Sequence, residues 1–163
     1  MERDAAIQLV NSWNQLPNQP EAGRAYHRLT QALVTVLPSD ITAGGAALVE
    51  NVPTVLALNA TNVFTVIVDP QSGDKANVTV RRFPLAAERM RVDLVDNIAG
   101  ELPNDVVGAH LRDWTFTWVS GEVLNFGSVV KVYNGWSDAP QSAERFARAL
   151  AAALGWEMPS DER

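Results

Sequence analysis

Between Arg81 and Arg91 the chain reads "RRFPLAAERMR", which sets arginines on both sides of a short, mostly apolar link. A guanidinium group donates in a planar fork that matches a carboxylate or a phosphate, so this cluster is a candidate for anion recognition or a polar protein contact. The flanking segments alternate: Val78 and Val80 with Thr79 and Arg81, then Met90, Val92 and Leu94 with Arg91 and Asp93. Such alternation predicts two half-solvated antiparallel strands joined around "PLAAE", with Arg81 and Arg91 near each other across the hairpin. The candidate binding residues are therefore Arg81, Arg82, Arg89 and Arg91. The competing reading is a solvated face whose charge is balanced by Glu88, Asp93 and Asp96, because exposed ion pairs contribute little. A second basic group, Arg24, His27 and Arg28, falls on the outer side of a predicted helix.

The segment "RDWTFTWVSGEVLNF" raises a different possibility. As a strand it places Trp114, Phe116 and Trp118 on one face and Asp113, Thr115 and Thr117 on the other. Rings in a row can stack on a ligand, but they also dominate protein interiors. A three-residue loop, Val119-Ser120-Gly121, gives glycine the left-handed position of a type I turn with a bulge. That loop sets Phe116 opposite Leu124, Trp114 opposite Phe126, Thr117 opposite Val123 and Thr115 opposite Asn125. One face of the hairpin is then apolar on both strands, and a one-residue slip would mix the faces. The rings are accordingly expected to be interior, covered by the last helix. The alternative is an apolar pocket lined by Trp114, Phe116, Trp118 and Phe146, with His110 or Arg91 as polar anchor.

Other chemistries find little support. His27 and His110 are the only histidines and fall on different elements. Asp93, Asp96, Glu101, Asp105 and Asp113 match no EF-hand or two-histidine-one-carboxylate spacing, so neither a metal nor a cofactor is expected. No nucleophile-elbow, phosphate-loop or dinucleotide fingerprint occurs. Without cysteine there are no disulfides, zinc thiolates or thiol nucleophiles. "NAT" at Asn59 and "NVT" at Asn77 match the glycosylation triplet, which is read as chance in a chain without a secretion signal.

The elements that must position these residues follow from periodicity. Ala6, Leu9, Val10, Trp13 and Leu16 share one face of a helix over 4–16, and Tyr26, Leu29, Leu33 and Leu37 one face of a helix over 21–37. Prolines 17, 20 and 38 punctuate the pair into a helical hairpin over 1–38. "PSDITAGGAALVE" is read as a connection, with Gly44-Gly45 a break before the sheet. From Val52 the period becomes alternating, and a sheet is predicted over 52–134: "VPTVLALN", "NVFTVIVD", the two arginine-bearing strands, the aromatic hairpin and "SVVKVYN". Apolar residues on both faces of "NVFTVIVD" predict a central strand covered on each side. The last helix, 138–155, has Asp138 and Gln141 placed as a capping box, a stripe of Phe146, Ala149, Leu150, Ala153 and Leu154, an exposed Glu144–Arg148 pair, and Gly155 as its C-terminal stop.

This order predicts an α+β fold in a single domain over 1–163: an N-terminal helical hairpin, a mainly antiparallel, strongly bent sheet of about seven strands, and a C-terminal capping helix. In element order it resembles a pleckstrin-homology-type barrel closed by its last helix; the alternative is a helix-grip arrangement with an apolar cavity.

Composition narrows the partners. The net charge of −6 over 163 residues argues against nucleic acid, whose binding neutralises phosphates. No apolar run reaches the roughly 18 residues of a membrane span, and "MERDAAIQLVNSW" does not resemble a secretory signal. Many alanines, with arginine in place of most lysines, suggest a bacterial source, and a cytoplasmic location is the default. The function expected is a non-enzymatic interaction module whose partner is another protein or a second copy of itself. A small-molecule carrier or enzyme using the pocket is the alternative, and anionic lipid headgroups at the arginines are a third reading.

Overall fold

The computed structural model describes residues 1–16, 22–50, 52–69, 77–95, 111–127 and 139–156. Helices α1 (Arg3–Asn14) and α2 (Ala22–Val36) precede strands β1 (Ala43–Val49), β2 (Val52–Leu58), β3 (Asn62–Asp69), β4 (Asn77–Pro84), β5 (Ala87–Val95), β6 (Leu111–Trp118) and β7 (Val123–Gly127), and helix α3 (Ala139–Ala153) follows. The fold is α+β, and every pairing in its sheet is antiparallel. The strand order is β4-β3-β2-β1-β7-β6-β5.

That order dictates a strong bend. Strands β4 and β5 are the two edges of a seven-stranded sheet, so if flat they would lie about 29 Å apart. Only Leu85 and Ala86 join them, and the step from Pro84 to Ala87 spans at most about 11 Å. The sheet therefore rolls until its edges meet at this corner. Side chains from distant segments hold the corner shut: the Trp118 indole Nε1 donates to the Pro84 carbonyl at 2.7 Å, and the Trp118 and Phe83 rings stack at 4.6 Å. The Leu85 amide donates to the Thr61 carbonyl at 2.9 Å, tying the link to the β2–β3 turn. The expected hairpin between the arginine-bearing strands is thus corrected. Strand β4 pairs with β3 and β5 with β6, and "PLAAE" turns a corner between sheet edges.

Two apolar layers form, one on each side of the sheet. On the convex side, Leu9, Val10 and Trp13 of α1 and Leu29 and Leu33 of α2 pack on Ala46, Val55, Ala57, Phe64 and Val66. On the concave side, Trp114, Phe116, Leu124 and Phe126 pack with Leu56, Val63 and Phe83 beneath Ala143, Phe146, Ala147 and Leu150 of α3. Strand β3 is covered on both faces, as its two-sided apolar pattern requires.

The sheet starts earlier than the sequence suggested. Gly44 and Gly45 do not break the chain but lie within β1, a central strand. Their missing side chains face opposite ways: a Cβ on Gly44 would meet Leu9 of α1, and one on Gly45 would meet Ser142 and Phe146 of α3. The pair lets a helix approach β1 closely on each face. Among the described residues, β1 joins β7 through Leu48 and Gly127, and the Ser142 hydroxyl accepts the Ala46 amide at 3.0 Å. Helix α3 thus packs over the seam between β1 and β7, in keeping with the capped arrangement.

Seven strands are present among the described residues, but β1 is one that was not expected. The expected strand at 128–134, the turn from Asn104 and the Asp138–Gln141 cap lie outside the described residues. Contact with β1 also turns α3. Its buried stripe is Ser142, Ala143, Phe146, Ala147, Leu150 and Ala151, while Ala149 and Leu154 are half-buried and Ala153 is exposed. Glu144 and Arg148 pair at 3.5 Å. The helix ends in a Schellman turn: Gly155 has φ +77°, its amide bonds to the Ala152 carbonyl, and the Trp156 amide bonds to the Ala151 carbonyl.

Candidate functional site

The arginines fall on the two sheet edges. On β4, Phe83 faces the concave layer and Val78 the convex one, so Arg81 shares the concave face and Arg82 the convex. On β5, Met90 and Val92 pack into the concave layer, which sends Arg89 and Arg91 to the convex face opposite Thr117 and Thr115. Arg81, Arg82, Arg89 and Arg91 are all exposed. The geometry that would set Arg81 against Arg91 does not form, because their strands never pair. Arg81 lies over the Phe83 ring, 4.9 Å from its centroid, and reaches Glu122 at 3.7 Å. Arg91 closes on its own strand, with Nη2 at 2.8 Å and Nε at 2.9 Å from Asp93 Oδ2. Exposed pairs of this kind are worth at most about 1 kcal/mol each, so these charges remain available to a partner.

The backbone of β5 can be oriented from the hairpin beside it. The Trp118 amide donates to the Glu122 carbonyl at 2.9 Å, so these residues form a bonded pair across β6 and β7. Bonded and unbonded pairs alternate in an antiparallel ladder, so Thr117, Thr115 and Asp113 direct their peptide groups toward β5. Their partners Arg89, Arg91 and Asp93 bond to β6. The peptide groups of Met90, Val92 and Leu94 point the other way, to the side of β5 where no other described strand pairs. No sequence signal marks that edge, because strand order is set by contacts distant in sequence.

The pocket candidates come together as interior. Trp114, Phe116 and Phe146 are fully buried and Trp118 is 3% exposed. Their rings pack on one another and on neighbours: Phe116 with Phe126 at 6.1 Å, Phe126 with Phe146 at 5.9 Å, and Phe116 with Trp156 at 6.4 Å. The pairs Phe116–Leu124, Trp114–Phe126, Thr117–Val123 and Thr115–Asn125 all form, and Gly121 takes φ +88°. The Trp114 indole Nε1 has no hydrogen-bond partner among the described residues, although the ring is buried. Sequence reasoning missed Phe83 and Trp156 as ring partners; their aromatic type was the available signal.

His110, Asp96, Glu101 and Asp105 lie outside the described residues, as does the side chain of Arg24. His27 is exposed and meets Tyr26 edge to face, and Arg28 is half-buried. Among the described residues, no group of histidines and carboxylates gathers in a way that could hold a metal ion. Nor is any described helix long and apolar enough to cross a membrane. Asn59, one of the triplet asparagines, is buried; its Oδ1 accepts the Asn62 amide at 2.8 Å and its Nδ2 donates to Asp40 at 3.2 Å.

No protein-family model matches the sequence, and neither does any curated protein. Among solved structures, the chain is similar to the hSac2 domain from human phosphoinositide phosphatase Sac2. That likeness covers 90% of this chain and 95% of that one at 14% identity, with a TM-score of 0.46.

Proposed function

We propose that this chain is a non-enzymatic interaction module that binds a protein partner through its sheet edges. The observation that carries the reading is the placement of exposed arginines on both edge strands, beside backbone groups directed outward. An edge strand supplies affinity through its peptide groups, and side chains on alternate positions supply selectivity. The densely packed aromatic layer supports the same reading, since its rings serve as a rigid scaffold. A bacterial cytoplasm as the setting rests on composition: no cysteine and a predominance of arginine over lysine. Light scattering on a sizing column, with a pull-down from native lysate, tests the proposal. A strictly monomeric protein that recovers nothing would count against it.

The Trp114 indole, without a partner among the described residues, favours one second reading, a small molecule whose acceptor reaches that N–H from within the aromatic layer. A thermal-shift screen against aromatic acids, lipids and nucleotides separates the two. Stabilisation by several degrees with one ligand class, lost in Trp114→Phe, would favour the small molecule.

A further inference from the structure

We infer that the β5 edge is built to pair with the β5 edge of a second copy, antiparallel and centred on Val92. This rests on the interaction reading and names its partner. Strand β5 has nine residues, no proline and no lysine, and β6 is its only partner strand among the described residues. Its outward peptide groups at Met90, Val92 and Leu94 form a row that another strand can complete.

Charge then selects the register. Two copies related by a twofold axis normal to the sheet oppose residues of the same face, so the axis must pass through a residue of β5. Centred on Arg91, the pairing sets Arg91 against its own copy. Centred on Asp93, it sets the two Asp93 carboxylates together, and centred on Met90 it sets Arg91 against Arg89. Centred on Val92, it places each Arg91 opposite the other copy's Asp93, twice over, with no like charges opposed between Arg89 and Val95. These are unbonded positions, where side chains lie closest. The Arg91–Asp93 contact within each strand, at 2.8 Å, is then shared or exchanged between copies. On the concave face the same register sets Val92 against Val92 and adds cover to Met90 and Val92, which are half-buried in one copy. The other edge offers no such match, because β4 carries Arg81 and Arg82 and no acidic residue.

The absence of cysteine allows a direct test. Single variants Arg91→Cys, Val92→Cys and Asp93→Cys are oxidised mildly, and the full-length wild type is followed by sedimentation over a dilution series. The expected result is a reversible wild-type dimer and fastest cross-linking at Val92→Cys, where the two positions coincide at the axis. Arg91→Asp should weaken the dimer about tenfold or more, and the swap Arg91→Asp with Asp93→Arg should restore most of it. Circular dichroism checks that each variant is folded; Arg91 is exposed and Val92 and Asp93 are half-buried. Fastest cross-linking at position 91 or 93, or failure of the swap to restore the dimer, would overturn the register. A wild type that stays monomeric would overturn self-pairing altogether. In that case a lysate partner lost on Arg89 and Arg91 substitution leaves the interaction reading standing, and no partner at all removes both.

Discussion

Gly45→Ala puts a number on how closely α3 is pressed to the sheet. The added Cβ would sit 2.6 Å from the Ser142 carbonyl oxygen, 2.9 Å from its hydroxyl and 3.2 Å from the Phe146 Cβ. The nearest atom is helix backbone, so relief requires α3 to move. Overpacking of this kind costs about 1–3 kcal/mol, and replacing a glycine within a strand returns about 0.5–1 kcal/mol. The net expectation is a loss of about 1–2 kcal/mol, or a Tm lower by about 2–8 °C in a chain of this size. Gly44→Ala is the matched control: its Cβ meets Leu9 Cδ2 at 2.7 Å, the end of a flexible side chain. That variant should lose less, about 0–1 kcal/mol. Urea unfolding of wild type and both variants measures the difference. A Gly45→Ala protein as stable as wild type, or a Gly44→Ala protein that is worse, would refute the close approach of α3 to β1.

Further expectations follow from the seam, the corner and the ring layer. Ser142→Ala removes the acceptor of the buried Ala46 amide and should cost about 1–3 kcal/mol by urea unfolding. Combined with Gly45→Ala it should cost less than the sum, because both act on one contact. Trp118→Phe keeps the stacking on Phe83 but removes the indole donor to the Pro84 carbonyl, which keeps the Ala86 amide at 2.8 Å, so it should destabilise by about 0.5–1.5 kcal/mol more than Trp114→Phe, which removes an indole N–H with no partner among the described residues. The reverse order would show that the corner is held by something else. In single-tryptophan variants, iodide should quench Trp114 and Trp118 weakly and the half-buried Trp156 more strongly; equal quenching would contradict the ring layer.

Elements ruled by local chemistry were legible in the sequence. The faces of α1 and α2, the β6–β7 register and the Gly155 stop depend on periodicity, on one loop and on a left-handed residue, all read within a few positions. Strand β1 was hidden because helices cover both its faces, which leaves no polar alternation, and because glycines that admit a helix read like glycines that break a chain. The corner at Leu85 and Ala86 resembled a hairpin because nothing local distinguishes the two. Trp118, far along the chain, decides the matter by bonding Pro84. The same reason limited the candidate site. That the arginines are exposed follows from residue type; that they occupy sheet edges follows only from strand order.

Residue-resolved amide exchange at increasing protein concentration shows whether the β5 edge is a contact surface. The amides of Arg89, Arg91 and Asp93, directed at β6, should be protected throughout, while those of Met90, Val92 and Leu94 should exchange freely when dilute and become protected as concentration rises. Outward amides already protected at the lowest concentration, or unprotected at every concentration, would contradict it.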